Sequence, residues 1–86
     1  MKVLYIDDSP LQIKLMGIFL KNNPKLELVP AQSGKEGIYK AQNEPTDIIL
    51  LDMEMPEMDG EAVLKALKQS HLTSDIPVIM FTSSDE

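Results

Sequence analysis

Three apolar runs along the chain each stop at an acid or a hydroxyl. Lys2-Val3-Leu4-Tyr5-Ile6 runs into Asp7-Asp8, Asp47-Ile48-Ile49-Leu50-Leu51 into Asp52, and Pro77-Val78-Ile79-Met80-Phe81 into Thr82-Ser83-Ser84. Short runs rich in Val and Ile predict strands buried on both faces of a parallel sheet. A further short strand is expected near Leu26 to Pro30. Helix signals fill the intervals. Ser9-Pro10 reads as an N-cap followed by proline at the first helical position, and the helix it opens runs to about Asn22, closed by Asn23-Pro24. Ser33-Gly34-Lys35-Glu36 has the form of a capping box and opens a second helix, to about Asn43, which Glu44-Pro45 ends. Asp59-Gly60 opens a third, Glu61 to about Ser70, and a polar connection through His71 and Ser74 leads to the last strand. The alternation β-α-β-α-β-α-β, with right-handed crossovers, predicts an α/β fold: a doubly wound parallel sheet with helices on both faces.

The first helix is broader in its apolar face than a surface helix requires. At about 100° per residue, Ile18, Leu11, Leu15, Phe19, Met16, Leu20 and Ile13 span roughly 220° of its circumference. A one-sided helix needs a stripe a little over about 100° wide. Part of this arc is therefore expected to cover the sheet. The rest meets either a neighbouring helix of the same domain or the helix of a partner protein.

Length and composition narrow the function classes. A chain of 86 residues suits one small domain. Fourteen acids against eight lysines, with no arginine, leave a net charge of −6. That balance argues against phosphate-backbone binding to nucleic acid and is compatible with a cation or a basic partner. The absence of cysteine excludes disulfides, thiolate zinc sites and cysteine nucleophiles, and fits a cytoplasmic protein. No apolar stretch approaches the roughly 20 residues of a membrane span, and the amino terminus passes directly into a strand pattern without a signal-peptide core.

In a parallel sheet, ligands bind outside the carboxyl ends of the strands. Those ends deliver Asp7, Asp8, Asp52 and Thr82 to one place. Hard oxygens from two loops, with room for water, suit Mg²⁺ better than zinc. A divalent cation would offset the mutual repulsion of the carboxylates. An aspartate beside Mg²⁺ can attack phosphorus, and a hydroxyl such as that of Thr82 can contact the phosphoryl oxygens. Each acid has an ordinary alternative as a helix cap or turn residue, but three at strand carboxyl ends favour a site. Met53, Met55 and Met58 read as packing of a tight loop rather than as a soft-metal site. His71, the single histidine, is expected to be exposed. Glu54, Glu57 and Asp59 are expected to be solvated or to cap the third helix, and Gly60 to supply backbone freedom after the turn.

With these residues in view, the chain resembles the receiver domain of two-component response regulators. Asp7-Asp8 looks like the family's acidic pair, Asp52 like its phosphoacceptor, and Met55-Pro56-Glu57-Met58-Asp59-Gly60 like its M-P-x-M-D-G loop. Thr82 matches the switch residue that follows the fourth strand. The resemblance implies a flavodoxin-like fold with strand order 2-1-3-4, the family adding a fifth strand. It implies phosphoryl transfer from a histidine kinase or phosphotransfer protein onto Asp52, in a Mg²⁺-dependent reaction. By the same analogy Asp8 and Asp52 bind the ion directly, Asp7 mainly through water, and the backbone carbonyl of Glu54 is a further ligand. Glu54 and Ser84 occupy positions that tune hydrolysis of the acyl phosphate, and Ser83 is small, as a position beside the phosphoryl group requires. Such a module is not an enzyme beyond its own phosphotransfer and dephosphorylation.

The resemblance covers all 86 residues as an incomplete receiver. The family's fourth helix, its fifth strand with the lysine after it, its fifth helix and the aromatic partner of Thr82 are not matched. A truncated receiver or a portion of a longer polypeptide are both compatible with this. The expected kinase contact is the first helix, and self-association through the fourth strand or the first helix is also expected. Two other functions remain open. A non-phosphorylating interaction fragment would keep the fold; the unmatched lysine favours it, and the intact Asp7, Asp8, Asp52 and Thr82 oppose it. An aspartate-nucleophile phosphatase of the haloacid dehalogenase type would want an aspartate where Glu54 stands.

Overall fold

Residues 1–56 and 59–81 are described by the structure, a computed structural model. Seven elements alternate: β1 (Lys2–Ile6), α1 (Pro10–Leu20), β2 (Glu27–Ala31), α2 (Gly34–Asn43), β3 (Ile48–Asp52), α3 (Gly60–Gln69) and β4 (Val78–Phe81). The strands form one parallel sheet in the order β2-β1-β3-β4. This is the expected doubly wound arrangement, with boundaries moved by a residue or two. α1 stops at Leu20 rather than near Asn22. Its last turn tightens through i→i+3 bonds, Lys21 N–H to Ile18 O at 3.2 Å and Asn23 N–H to Leu20 O at 3.0 Å. β3 is shifted so that Asp52 is its last residue, while Asp47 stands before it and accepts the Lys2 N–H at 2.6 Å.

Each helix begins on a side-chain cap. Ser9 accepts the Gln12 N–H, Ser33 the Glu36 N–H and Asp59 the Ala62 N–H. The capping box of α2 is modified. Glu36 reaches back to the Gln32 N–H at 2.8 Å, one residue before the cap. Among the described residues no helix is long and apolar enough to cross a membrane.

Alternation along the strands divides the sheet into two unlike faces. On the first, Leu4, Ile6, Ile49 and Leu51 are buried with Val63 and Leu67 of α3 and Ala41 of α2. The approach of α2 is close: a Cβ on Gly37 would lie 2.5 Å from Ile6 Cδ1. On the second face α1 lies over β2, with Gly17 against Leu28. The register brings Val3, Tyr5, Ile48, Leu50, Ile79 and Phe81 to this same face. No residue of α1 is buried, and Leu11, Leu15, Ile18 and Phe19 are exposed. The expected cover by a neighbouring helix is therefore not found among the described residues, because α2 and α3 pack on the opposite face.

The connection after α3 is a series of turns. Thr73, fully buried, donates its hydroxyl to the Leu67 carbonyl, and Lys68 Nζ donates to the carbonyls of Ser74 and Ile76. His71 is exposed, as expected.

Candidate functional site

β1 and β3 are adjacent and parallel, with Ile6 paired to Leu51, so their carboxyl ends coincide. That register brings Asp7 and Asp52 side by side, and the turn after Ile6 brings in Asp8. One carboxylate oxygen from each of the three lies within 4.8 Å of the others. Adjacent residues diverge in a regular strand, but β1 ends at Ile6, and this frees Asp7 and Asp8 to converge. Asp7 and Asp52 are fully buried, while Asp8 is partly open to solvent.

The two buried carboxylates are satisfied differently. Asp7 Oδ1 accepts the Ser9 N–H at 2.9 Å, and Oδ2 accepts the Tyr5 hydroxyl at 2.7 Å. Asp52 Oδ1 accepts the Glu54 N–H at 3.0 Å, but Oδ2 has no hydrogen-bond partner among the described residues. Burial pushes the Asp52 carboxyl above its usual range. The Glu54 N–H pulls the other way, and the negative Asp7 and Asp8 add to the rise. Burial, followed by the hydrogen bond to Asp7 and the charges of Asp7 and Asp52, likewise raises the Tyr5 phenol.

A buried carboxylate oxygen with no donor is unfavourable unless a cation or another electrophile approaches it. Three hard oxygen donors in reach of one another fit a Mg²⁺-like ion by donor type. Asp7, Asp8 and Asp52 are thus brought together as the sequence pattern predicts. Glu54 is exposed and joins the cluster through its backbone N–H. Thr82, Ser83 and Ser84 lie outside the described residues, as do Glu57 and Met58. Met55 is buried in the core and Met53 packs against it, in line with the packing reading of this loop. The role expected of Gly60 is corrected. Its φ is not positive, so backbone freedom is not the reason for glycine. A Cβ there would sit 2.5 Å from Met53 Cα and 3.1 Å from Asp52 O, so space beneath the loop is what Gly60 supplies.

Tyr5 escaped the sequence pattern, which counts it as one more apolar strand residue. The available signal was parity: Tyr5 and Asp7 are two apart and so share a face at the strand end.

A doubly wound parallel sheet with an acidic cluster at the carboxyl ends of its two central strands defines a flavodoxin-like α/β domain built around an anionic pocket. The chain belongs to the response regulator receiver domain family, which it matches over residues 3–86. It is 34% identical over 85 residues to the alkaline phosphatase synthesis transcriptional regulatory protein PhoP of Bacillus subtilis, covering 99% of this chain and 34% of that protein. It is 40% identical over 83 residues to a protein-glutamate methylesterase/protein-glutamine glutaminase of Clostridium acetobutylicum, covering 95% of this chain and 24% of that one. The crystal structure of the N-terminal domain of a response regulator receiver protein from Methanoculleus marisnigri JR1 superimposes with a TM-score of 0.90 at 34% identity, over 96% of this chain and 67% of that one. The chain therefore spans well under half the length of these two relatives and two-thirds of the solved domain.

Proposed function

We propose that this segment is a phosphoacceptor of two-component signalling, with Asp52 taking a phosphoryl group from the phosphohistidine of a kinase or phosphotransfer protein. The observation that carries the reading is Asp52 Oδ2, buried and without a partner among the described residues, beside two further carboxylates. Attack by this oxygen forms the O–P bond as the P–N bond of the phosphohistidine breaks. The departing imidazole nitrogen keeps the electron pair and takes a proton from solvent. The Glu54 N–H holds Asp52 Oδ1 and so orients Oδ2 for attack. Asp8, Asp52 and the backbone carbonyl of Glu54 would hold a Mg²⁺ ion, with Asp7 behind its water. When bound, the ion supplies charge neutralisation for the carboxylates and the phosphoryl oxygens. Thr82 follows Phe81, whose Cα pairs with that of Asp52, and this supports Thr82 as the hydroxyl donor to the phosphoryl group. The site turns over nothing beyond its own acyl phosphate.

Incubation with a small acyl phosphate and Mg²⁺ should add one phosphoryl group, read by intact mass, and Asp52→Ala should abolish it. Labelling that survives that substitution would move the site elsewhere. Mg²⁺ should shift the backbone amides of Asp8 and Asp52, and an equal response in Asp52→Asn would count against the cation site.

The exposed apolar face of α1 begins directly after the acid pair, which supports docking of the kinase or phosphotransfer protein there. Leu15→Lys should then slow transfer from a phosphorylated partner and leave labelling by the acyl phosphate unchanged. Self-association through β4, where Ile79 and Met80 are exposed, is the competing use of apolar surface. Sedimentation across a concentration series, with Ile79→Lys as the control, separates the two uses.

A further inference from the structure

Tyr5 is 1% exposed, yet it carries a polar atom into the buried end of the sheet. Its hydroxyl donates to Asp7 Oδ2 at 2.7 Å. Its ring stacks on Phe81, with centroids 5.7 Å apart and planes inclined by 15°. The register accounts for both contacts. Tyr5 pairs with Leu50, Leu50 with Ile79, and Asp52 with Phe81, so Tyr5, Asp7, Asp52 and Phe81 share one face. Apolar filling alone does not explain a tyrosine here. Phenylalanine would occupy the same space and bring no buried hydroxyl to satisfy. The hydroxyl completes the difference between the two buried acids. Among the described residues, Asp7 is held at both oxygens, whereas Asp52 is held at Oδ1 alone.

We infer that Tyr5 is a positioning residue of this site: its hydroxyl locks the Asp7 carboxylate beside the cation position, and its ring ties that carboxylate to the end of β4 through Phe81. The inference rests on the cation-binding reading of the acid cluster. Asp7 would stand in the ion's outer shell, behind its water, and disturbing an outer-shell partner typically weakens metal affinity by about 10- to 100-fold. Phe81 is the last residue of β4, so a shift of Asp7 would be felt at that strand end through the Tyr5 and Phe81 rings as well as through the strand ladder.

Tyrosine labelled with ¹³C at Cζ tests this, with the Tyr5 signal identified as the one that remains in Tyr39→Phe, since Tyr39 is exposed and is the other tyrosine of the sequence. The Tyr5 signal should move during a Mg²⁺ titration with the same midpoint as the Asp8 amide. Tyr5→Phe keeps the ring and should weaken Mg²⁺ binding by about 10-fold, and the Phe81 amide should lose its response to the ion while the Asp8 amide still saturates. A Tyr5 signal that stays fixed while the Asp8 and Asp52 amides respond overturns the inference and leaves the cation reading standing. So does a Tyr5→Phe variant that binds Mg²⁺ within about twofold of the parent, well short of the loss expected for a shell residue. If the Asp8 and Asp52 amides do not respond at all, the cation reading fails and this inference fails with it. Should Tyr5→Phe not fold, the titration of the parent protein decides.

Discussion

On one face of the sheet Leu4, Ile6, Ile49 and Leu51 are sealed against α2 and α3. On the other, α1 lies over β2 with none of its own residues buried. Both faces come from the same four strands, and they serve different ends. The first buries most of the apolar core and is where burial stabilises the fold most, although Val3 and Tyr5 of the second face are buried too. The second carries Tyr5, Phe81 and the two buried aspartates. Among the described residues, the buried polar side chains there are hydrogen-bonded, apart from Asp52 Oδ2, the atom proposed to react. The contrast teaches that hydrophobicity along a strand does not say which face supplies stability. The packing partner decides that.

The largest expected effect tests the contrast directly. Leu51→Ala, at a fully buried position, should cost about 2–5 kcal/mol of unfolding free energy. Phe19→Ala on α1, where the side chain is 76% exposed, should stay within about 0.5 kcal/mol. Urea unfolding measures both, and comparable losses would erase the distinction between the faces.

Adding a methyl group at the two tight glycines should come next, at about 1–3 kcal/mol each. Gly60→Ala should be the worse. Its Cβ would meet the Met53 backbone at 2.5 Å, whereas at Gly37 it meets the Ile6 side chain at 2.5 Å, and a side chain can turn away. Thermal midpoints rank the pair. Gly60→Ala should also shift the Glu54 amide, since the loop that must yield also holds Asp52. The reverse ranking would mean that the loop yields more readily than the core face.

A smaller effect concerns pH in the absence of metal. Burial first, and then Asp7 and Asp8, raise the Asp52 pKa above its unfolded value, with the Glu54 N–H opposing. The stability linked to the protonated form is complete below the ordinary aspartate range and is lost as pH rises through the raised pKa. Unfolding free energy measured in chelator should therefore fall across that interval, and Asp52→Asn should remove the fall. An identical pH profile for the two proteins would show that charging Asp52 does not strain the fold.

The smallest effect lies at the start of α2. The Gln32 N–H, and after it Lys40, hold the Glu36 carboxyl below its usual range. Its contribution is present above the ordinary glutamate range and is lost as pH falls through the lowered pKa. Glu36 is exposed, so Glu36→Gln should cost no more than about 0.5 kcal/mol near neutral pH, with the difference shrinking in acid. A larger loss would place more of the stability in the caps than the comparison of the two faces allows.

The sequence by itself determined what depends on near neighbours. The apolar runs set the strands. Ser9-Pro10, Ser33 and Asp59 set the helix starts, because a cap acts on an N–H three residues away. The convergence of Asp7, Asp8 and Asp52 was legible too, since parallel strands align their carboxyl ends. The strand order came through family resemblance, because no local pattern encodes which strands become neighbours. Tertiary structure decided the rest. Gly60 answers to the volume under Met53 rather than to a turn angle, and the broad apolar arc of α1 is left open by the placement of α2 and α3 on the far face. Tyr5 became a partner of Asp7 and Phe81, and among the described residues Asp52 Oδ2 was left without one, because hydrogen bonds and ring stacking are decided at distances of a few ångströms. Residues far apart in sequence reach such distances through strand register and side-chain rotamers, and neither is written into the spacing of a single run.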